Sequence, residues 1–170
     1  VVNAIMPAIP GFRWLSLMAV AVLRPVRALE RRPSVSVVIP ARNEKGNLEA
    51  ALHRMPDLGP ATEVIFVEGH SSDGTWEEIQ RLLPLWDGRN GLRLKAFQQT
   101  GRGKVDAVRL GFSKASGDVL TILDADLTMP PELLPRFLEA YRLGLGDFVN
   151  GTRLVYPMEG EAMRFLNRSG

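Results

Sequence analysis

From Ser34 onward the chain alternates short β-branched runs with stretches whose apolar residues recur every three or four positions. Val35-Ser-Val-Val-Ile39, closed by Pro40, predicts a strand buried on both faces. Leu48, Ala51, Leu52 and Met55 then share one face of a helix. Val64-Ile-Phe-Val67 predicts a second strand, and Thr75 with Glu78 reads as a capping box opening a helix with Trp76, Ile79 and Leu83 on one side. Leu92 to Phe97 is half alternating and predicts a strand near a sheet edge. Val105, Val108, Phe112 and Ala115 mark a third helix ended by Gly117. Val119 to Leu123 is the most apolar run and is expected to be the most buried strand. Pro130 and Pro131 suit a helix start, with Leu134, Phe137, Leu138 and Tyr141 on one face. Phe148-Val149 predicts a short fifth strand.

Strands separated repeatedly by helices imply an α/β fold, a mostly parallel sheet with helices on both faces. Ligands of such sheets bind at the carboxyl ends of the strands. The polar and acidic clusters stand just there: Ala41 to Glu44, Glu68 to Gly74, and Asp124-Ala125-Asp126.

Composition adds limits. Hydrophobic residues at 45% and charged residues at 24% are ordinary for a globular protein. With no cysteine, disulfides and thiolate metal sites are excluded, which fits a reducing compartment and a cytoplasmic location. The formal net charge of +2 is uneven, because Arg13, Arg24, Arg27, Arg31 and Arg32 face only Glu30 before residue 33. The remainder is slightly acidic and lacks a basic stripe with interleaved aromatics, so no nucleic-acid partner is expected. Residues 1–33 read as an arm or the tail of a preceding domain, and residues 34–170 as one domain. The apolar run Trp14 to Leu23 is too short for a membrane span of roughly 20 residues. Two readings of it stay open: a linker, or an interfacial helix touching the inner face of the membrane.

Familiar nucleotide motifs are absent. Gly103-Lys104 is followed by Val105, with no glycine at the P-loop spacing. Asp106 occupies the third-glycine position of a dinucleotide fingerprint, and there is no Gly-x-Ser-x-Gly elbow. What remains is Asp124-Ala125-Asp126 at a strand end. Two carboxylates there can share one hard cation, since Mg²⁺ or Mn²⁺ takes oxygen ligands, often one or two carboxylates plus substrate phosphates. The alternative is that one aspartate caps a helix and the other is solvated.

Five segments in order, VSVVIPARNE from Val35, EVIFVEGHSSDGT from Glu63, GRGKVDAVRLG from Gly101, GDVLTILDAD from Gly117 and NGTR from Asn150, together resemble family-2 glycosyltransferases of the GT-A fold. The similarity is greatest to the branch that contains dolichyl- and polyprenyl-phosphate sugar transferases, and it covers some 120 residues, Ser34 to about Arg153. It implies a nucleoside-diphosphate-sugar donor, a lipid-phosphate acceptor, a divalent cation and transfer with inversion. Nucleotide-binding roles fall on Pro40, Arg42, Glu44, Glu68, Lys104, Asp124, Ala125 and Asp126. Asp124 and Asp126 would hold the metal, and Arg153 would join them as a catalytic residue facing the phosphates. Gly69 stands where many relatives carry Asp, and Thr128 where close relatives of the lipid-phosphate branch carry Gln. Asp73 would orient its turn or cap the next helix. Relatives continue well past Gly170, so the acceptor half is expected to be missing and the piece to have little or no turnover alone. Met158 to Leu166 reads as a helix leading into that half. Two rival classes are a nucleotidyltransferase and a nucleotide-binding module without catalysis.

Overall fold

The computed structural model describes residues 32–151. Arg153, the run Trp14 to Leu23 and the predicted helix from Met158 lie outside the described residues. Four strands, β1 (Val35–Ala41), β2 (Thr62–Glu68), β3 (Leu92–Gln98) and β4 (Val119–Ile122), form one sheet in the order β3-β2-β1-β4. All three pairings are parallel, with Val37 opposite Val64, Val64 opposite Leu94, and Val38 opposite Ile122. Parallel neighbours require crossover connections. Helices α1 (Leu48–His53), α2 (Thr75–Trp86) and α3 (Lys104–Lys114) lie in those connections, and α4 (Leu134–Arg142) follows β4.

Strand alternation sends side chains to two separate cores. Val37, Ile39, Val64 and Phe66 pack with Leu48, Leu52, Ile79, Leu82 and Trp86 on the α1–α2 face. Val38, Ile65 and Val67 pack with Ala107 on the α3 face. Helices therefore cover both faces, as the alternation predicts.

Four local expectations are corrected. The expected face of α3 is buried only in part: Phe112 and Ala115 pack against the core, but Val105 is 68% exposed, and Ala107 and Gly111 are the fully buried positions. A Cβ on Gly111 would stand 2.3 Å from a Val38 methyl, so the helix lies so close to β1 that only the smallest residue fits. The most buried strand is β2, every residue of which is buried, and not β4. Leu120 and Ile122 of β4 remain about two-fifths exposed, at 42% and 40%, because β4 pairs only with β1 among the described residues. Phe148-Val149 forms no strand, having no ladder partner there, and Phe148 is 87% exposed.

The capping box does not form either. Gly74, in the left-handed conformation, is the N-cap residue of α2 and has no side chain with which to cap it, and Thr75 is the first helical residue. Glu78 turns instead to Arg81, at 2.7 Å.

Candidate functional site

Chain direction places the site. β1 is followed by β2 and β3 on one side, after which the chain returns to put β4 on the other. Loops leaving β1 and β4 therefore diverge at their carboxyl ends, the switch point at which open α/β sheets bind ligands. A cavity of about 310 Å³ lies there, against the start of α3. Pro40, Arg42, Glu44, Lys104, Asp124, Ala125 and Asp126 all line it. Seven of the eight residues expected at a nucleotide site are thus brought together.

The loops after β1 and β2 are locked to each other. Asn43 N–H donates to Ser71 Oγ at 3.0 Å, and Ser72 N–H returns to Asn43 Oδ1 at 2.9 Å. Glu44 N–H donates to Thr75 Oγ1 at 2.9 Å, while Glu44 Oε2 accepts from Asn47 at 2.7 Å. Asp73 serves both of the roles left open for it. Its carboxylate accepts Thr75 N–H at 2.9 Å, at the helix start, and Lys45 N–H at 3.2 Å, across to the β1 loop. The Thr75 hydroxyl foremost, with these backbone donors, holds the Asp73 carboxyl below its ordinary range.

Glu68 stands apart from the other seven. It is buried and does not line the cavity. Ser71 N–H reaches its Oε1 at 2.5 Å, and the Gln98 amide reaches Oε2 at 3.2 Å. Burial opposes its ionisation, but the Ser71 N–H and the other donors outweigh burial and hold the carboxyl below its ordinary range. Its observed work is to shape the turn that carries Gly69, His70 and Ser71.

Beyond β4 the chain turns sharply. Leu127 adopts φ 54°, a left-handed conformation that costs a bulky side chain about 1–2 kcal/mol. Leu127 N–H donates to Asp124 O at 3.1 Å, and Thr128 donates both N–H and hydroxyl to Asp126 Oδ1 at 3.0 Å. Those bonds hold the strained turn and fix the Asp126 carboxylate. The Lys104 ammonium pairs with Asp124 Oδ1, so that carboxylate already faces a positive charge. No cluster of three or more His, Cys, Asp or Glu side chains suited to a metal occurs among the described residues. Two hard carboxylates nonetheless match the donor set of a Mg²⁺ or Mn²⁺ whose remaining positions go to phosphate and water.

Sequence reasoning missed Gln99, Gly103, Val67 and Ala107 as lining residues, while Gly69, singled out only as a departure from the relatives' Asp, lines the cavity. Gly103 and Ala107 could have been found from the Gly-rich opening of α3. Gln99 carried no signal of its own.

The profile of Glycosyl transferase family 2 matches residues 36–168. The chain belongs to this family. Among its relatives, a dolichol-phosphate mannosyltransferase from Pyrococcus furiosus is 39% identical over 124 residues, 71% of this chain and 33% of the relative. A dolichol-phosphate mannosyltransferase from Saccharomyces cerevisiae is 36% identical over 69% of this chain and 44% of its own length. An undecaprenyl-phosphate 4-deoxy-4-formamido-L-arabinose transferase from Aeromonas hydrophila is 37% identical over 65% of this chain and 34% of its own length. The chain thus spans between a third and a half of the relatives it matches. Among solved structures, a mannosyltransferase from Pyrobaculum calidifontis in complex with GDP-Man and Mn²⁺ superposes with a TM-score of 0.56 at 27% identity, covering 77% of this chain and 36% of that one. The fold is therefore the GT-A fold of nucleotide-sugar transferases. No helix among the described residues is long and apolar enough to cross a membrane.

Proposed function

We propose that this chain is the donor-binding part of a glycosyltransferase that moves a sugar from a nucleoside-diphosphate donor to a polyprenyl phosphate. The observation that carries the reading is the convergence of Glu44, Lys104, Asp124 and Asp126 on one cavity at the switch point of the sheet. The family match and the lipid-phosphate relatives support the acceptor class. The Pyrobaculum structure, with GDP-Man and Mn²⁺, supports the donor class and a divalent cation.

In the proposed reaction an acceptor phosphate oxygen attacks the anomeric carbon as the bond to the donor diphosphate breaks, with inversion. The acceptor is already an anion, so proton removal is not the difficulty. Negative charge gathers on the departing diphosphate instead, and fixed positive groups aimed at it lower the barrier. Lys104 at the start of α3 is one such group, and Arg153 is proposed as another. Asp124 and Asp126 would hold the cation, which supplies further charge neutralisation when bound. Glu44, tied by Asn47 and Thr75, would meet the ribose or base. The arm's arginines would let it rest on the inner face of the membrane, close to a lipid acceptor.

The test incubates the protein with labelled nucleotide sugars and polyprenyl phosphate. Metal-dependent binding of the donor by this chain, and release of nucleoside diphosphate with labelled lipid once the acceptor half is supplied in a longer chain, are the expected results. Pyrophosphate release would point to a nucleotidyltransferase. Binding without any product from the longer chain as well would leave a donor-binding module.

A further inference from the structure

Residues 99–103 join β3 to α3, and their course decides where Lys104, the first residue of the helix, stands over the cavity. Two glycines make this loop permissive. Gly103, the N-cap residue, sits at φ 85° with no side chain to cap the helix, and glycine has more backbone freedom to lose than any other residue.

Gly101 is bound through both of its backbone groups. Its N–H donates to Asp106 Oδ2 at 3.1 Å, and a Cβ on Gly101 would stand 2.6 Å from that carboxylate, so only glycine allows the approach. That bond ties the loop to its own helix. The other reaches across to the loop after β2, where His70 Nε2 lies 3.2 Å from Gly101 O. A carbonyl only accepts, so Nε2 carries the proton and donates.

His70 adopts φ 58°, a left-handed conformation uncommon for a residue with a Cβ. Its side chain is exposed, so burial does not account for the conformation. Both neighbours are anchored: Gly69 N–H donates to Ala41 O at 2.9 Å, and Ser71 N–H to Glu68 Oε1 at 2.5 Å. The turn held between those anchors aims the imidazole at the Gly101 carbonyl. Strained residues of this kind persist where the surroundings hold them, and they cluster at functional sites.

We infer that His70 is a positioning residue: through Gly101 it latches the loop before α3 to the loop after β2, and so keeps the Lys104 ammonium at the phosphate end of the cavity, beside Asp124 and Asp126. It acts on the Gly101 backbone and not on the donor. This rests on the donor reading above, in which Lys104 meets the diphosphate, and adds the device that holds Lys104 in place. Without the latch the two-glycine loop samples more conformations, and a bound diphosphate must order it at an entropic cost.

His70→Asn tests the latch, because asparagine tolerates the left-handed conformation but is too short to reach Gly101. His70→Gly, unstrained at this φ, should behave alike and serves should the Asn variant not fold. His70→Gln returns an amide N–H to nearly the reach of Nε2 and should restore the wild-type behaviour. In the ligand-free full chain, the amides of residues 101–104 should exchange hydrogen about fivefold faster in the Asn variant, the worth of one hydrogen bond, with little change in melting temperature. In calorimetry with Mn²⁺, GDP or UDP should bind about fivefold more weakly to that variant, while guanosine or uridine binds as before. In a Lys104→Met background, His70→Asn should cost the diphosphate nothing further, since its effect runs through Lys104. Unchanged exchange, unchanged diphosphate affinity, an equal loss for the nucleoside, or the same loss in the Lys104→Met background would each overturn the latch and leave the donor reading standing. Absence of nucleotide binding by the wild type would overturn the donor reading, and with it the aim of Lys104 at phosphate, whatever the exchange rates show.

Discussion

The Lys104 ammonium, at the first residue of α3, contacts Asp124 Oδ1 just beyond the end of β4, bridging the two walls of the cavity. Both side chains are substantially solvent-exposed, so the pair contributes little to stability. Its position matters more, since the same ammonium can turn toward a bound diphosphate. Lys104→Met should leave the melting temperature nearly unchanged and weaken nucleoside-diphosphate binding about tenfold, the scale of one charge-assisted hydrogen bond. Binding of the uncharged nucleoside should not change. Calorimetry with GDP and guanosine, or UDP and uridine, separates the two, and an equal loss for both would remove Lys104 from the phosphate end.

Asp126 has two duties that substitution can separate. Its Oδ1 accepts two hydrogen bonds from Thr128, which brace the turn at Leu127. Asp126→Asn keeps an acceptor for both and lowers the charge. It should retain stability and lose the part of nucleotide affinity that depends on Mn²⁺. Asp126→Ala should lose that affinity and also about 1 kcal/mol of stability, as the turn loses its brace. Thermal melts with and without Mn²⁺ and nucleotide check both. A metal-dependent shift surviving in the Asn variant would place the cation elsewhere.

At the opposite end of the sheet, Glu63 is buried and holds four donors: Lys95 Nζ at 2.6 Å, Ser36 Oγ at 2.7 Å, and Ser116 N–H and Oγ at 3.0 Å. Burial alone would raise its pKa, but the Lys95 ammonium and the serine donors outweigh burial and hold it at about 2, against 4.5 when free. A carboxyl depressed in the folded state stabilises above its free pKa, and that contribution disappears as pH falls through the folded value. Stability should therefore drop between about pH 4.5 and pH 2, by roughly 3 kcal/mol from this group. Glu63→Gln should be clearly destabilised at pH 7 and lose most of that acid dependence. Urea unfolding midpoints across that range test it, and parallel acid profiles for the two proteins would contradict it.

The domain boundary near Ser34 also has a direct test. Ser34 is bound into the fold, its N–H and hydroxyl reaching Asp118 Oδ2 at 3.0 and 2.9 Å. A chain beginning at Ser34 should fold, bind nucleotide as the longer chain does, and lose any affinity for anionic vesicles. Vesicle binding by the longer chain should weaken with salt, because arginines supply part of the attraction. Loss of the melting transition on truncation would place the arm in the core.

Elements that bury an apolar face were legible because their residues carry the period of the element. Ile39, Phe66, Leu52 and Ile79 are all core residues and all follow such a pattern. The pattern failed where the buried surface is made by small residues: Ala107 and Gly111 are too small to stand out beside Val105 and Val108. It failed again at β4, whose apolar composition does not show that one side lacks a neighbour among the described residues. At the site, the strand-end position of Asp124 and Asp126 was readable from the pattern, but the roles of these and of Arg42, Glu44 and Lys104 came from the five-segment resemblance, since an acidic pair after a strand can equally cap a helix or stay solvated. Gln99 was not readable, since an amide gains meaning only from what stands beside it.

β2 carries a buried glutamate at each end, Glu63 and Glu68, five residues or roughly 17 Å apart. One is bound to the serines and lysine beneath the sheet, and the other moulds the loop above it. Acid stability and the shape of the turn beside the cavity are thus set at opposite ends of a single strand, beyond the range at which neighbouring substitutions interfere. Variation around Glu63 can tune endurance, and variation in the turn after Glu68 can reshape the cavity wall, with each set of changes accumulating independently of the other.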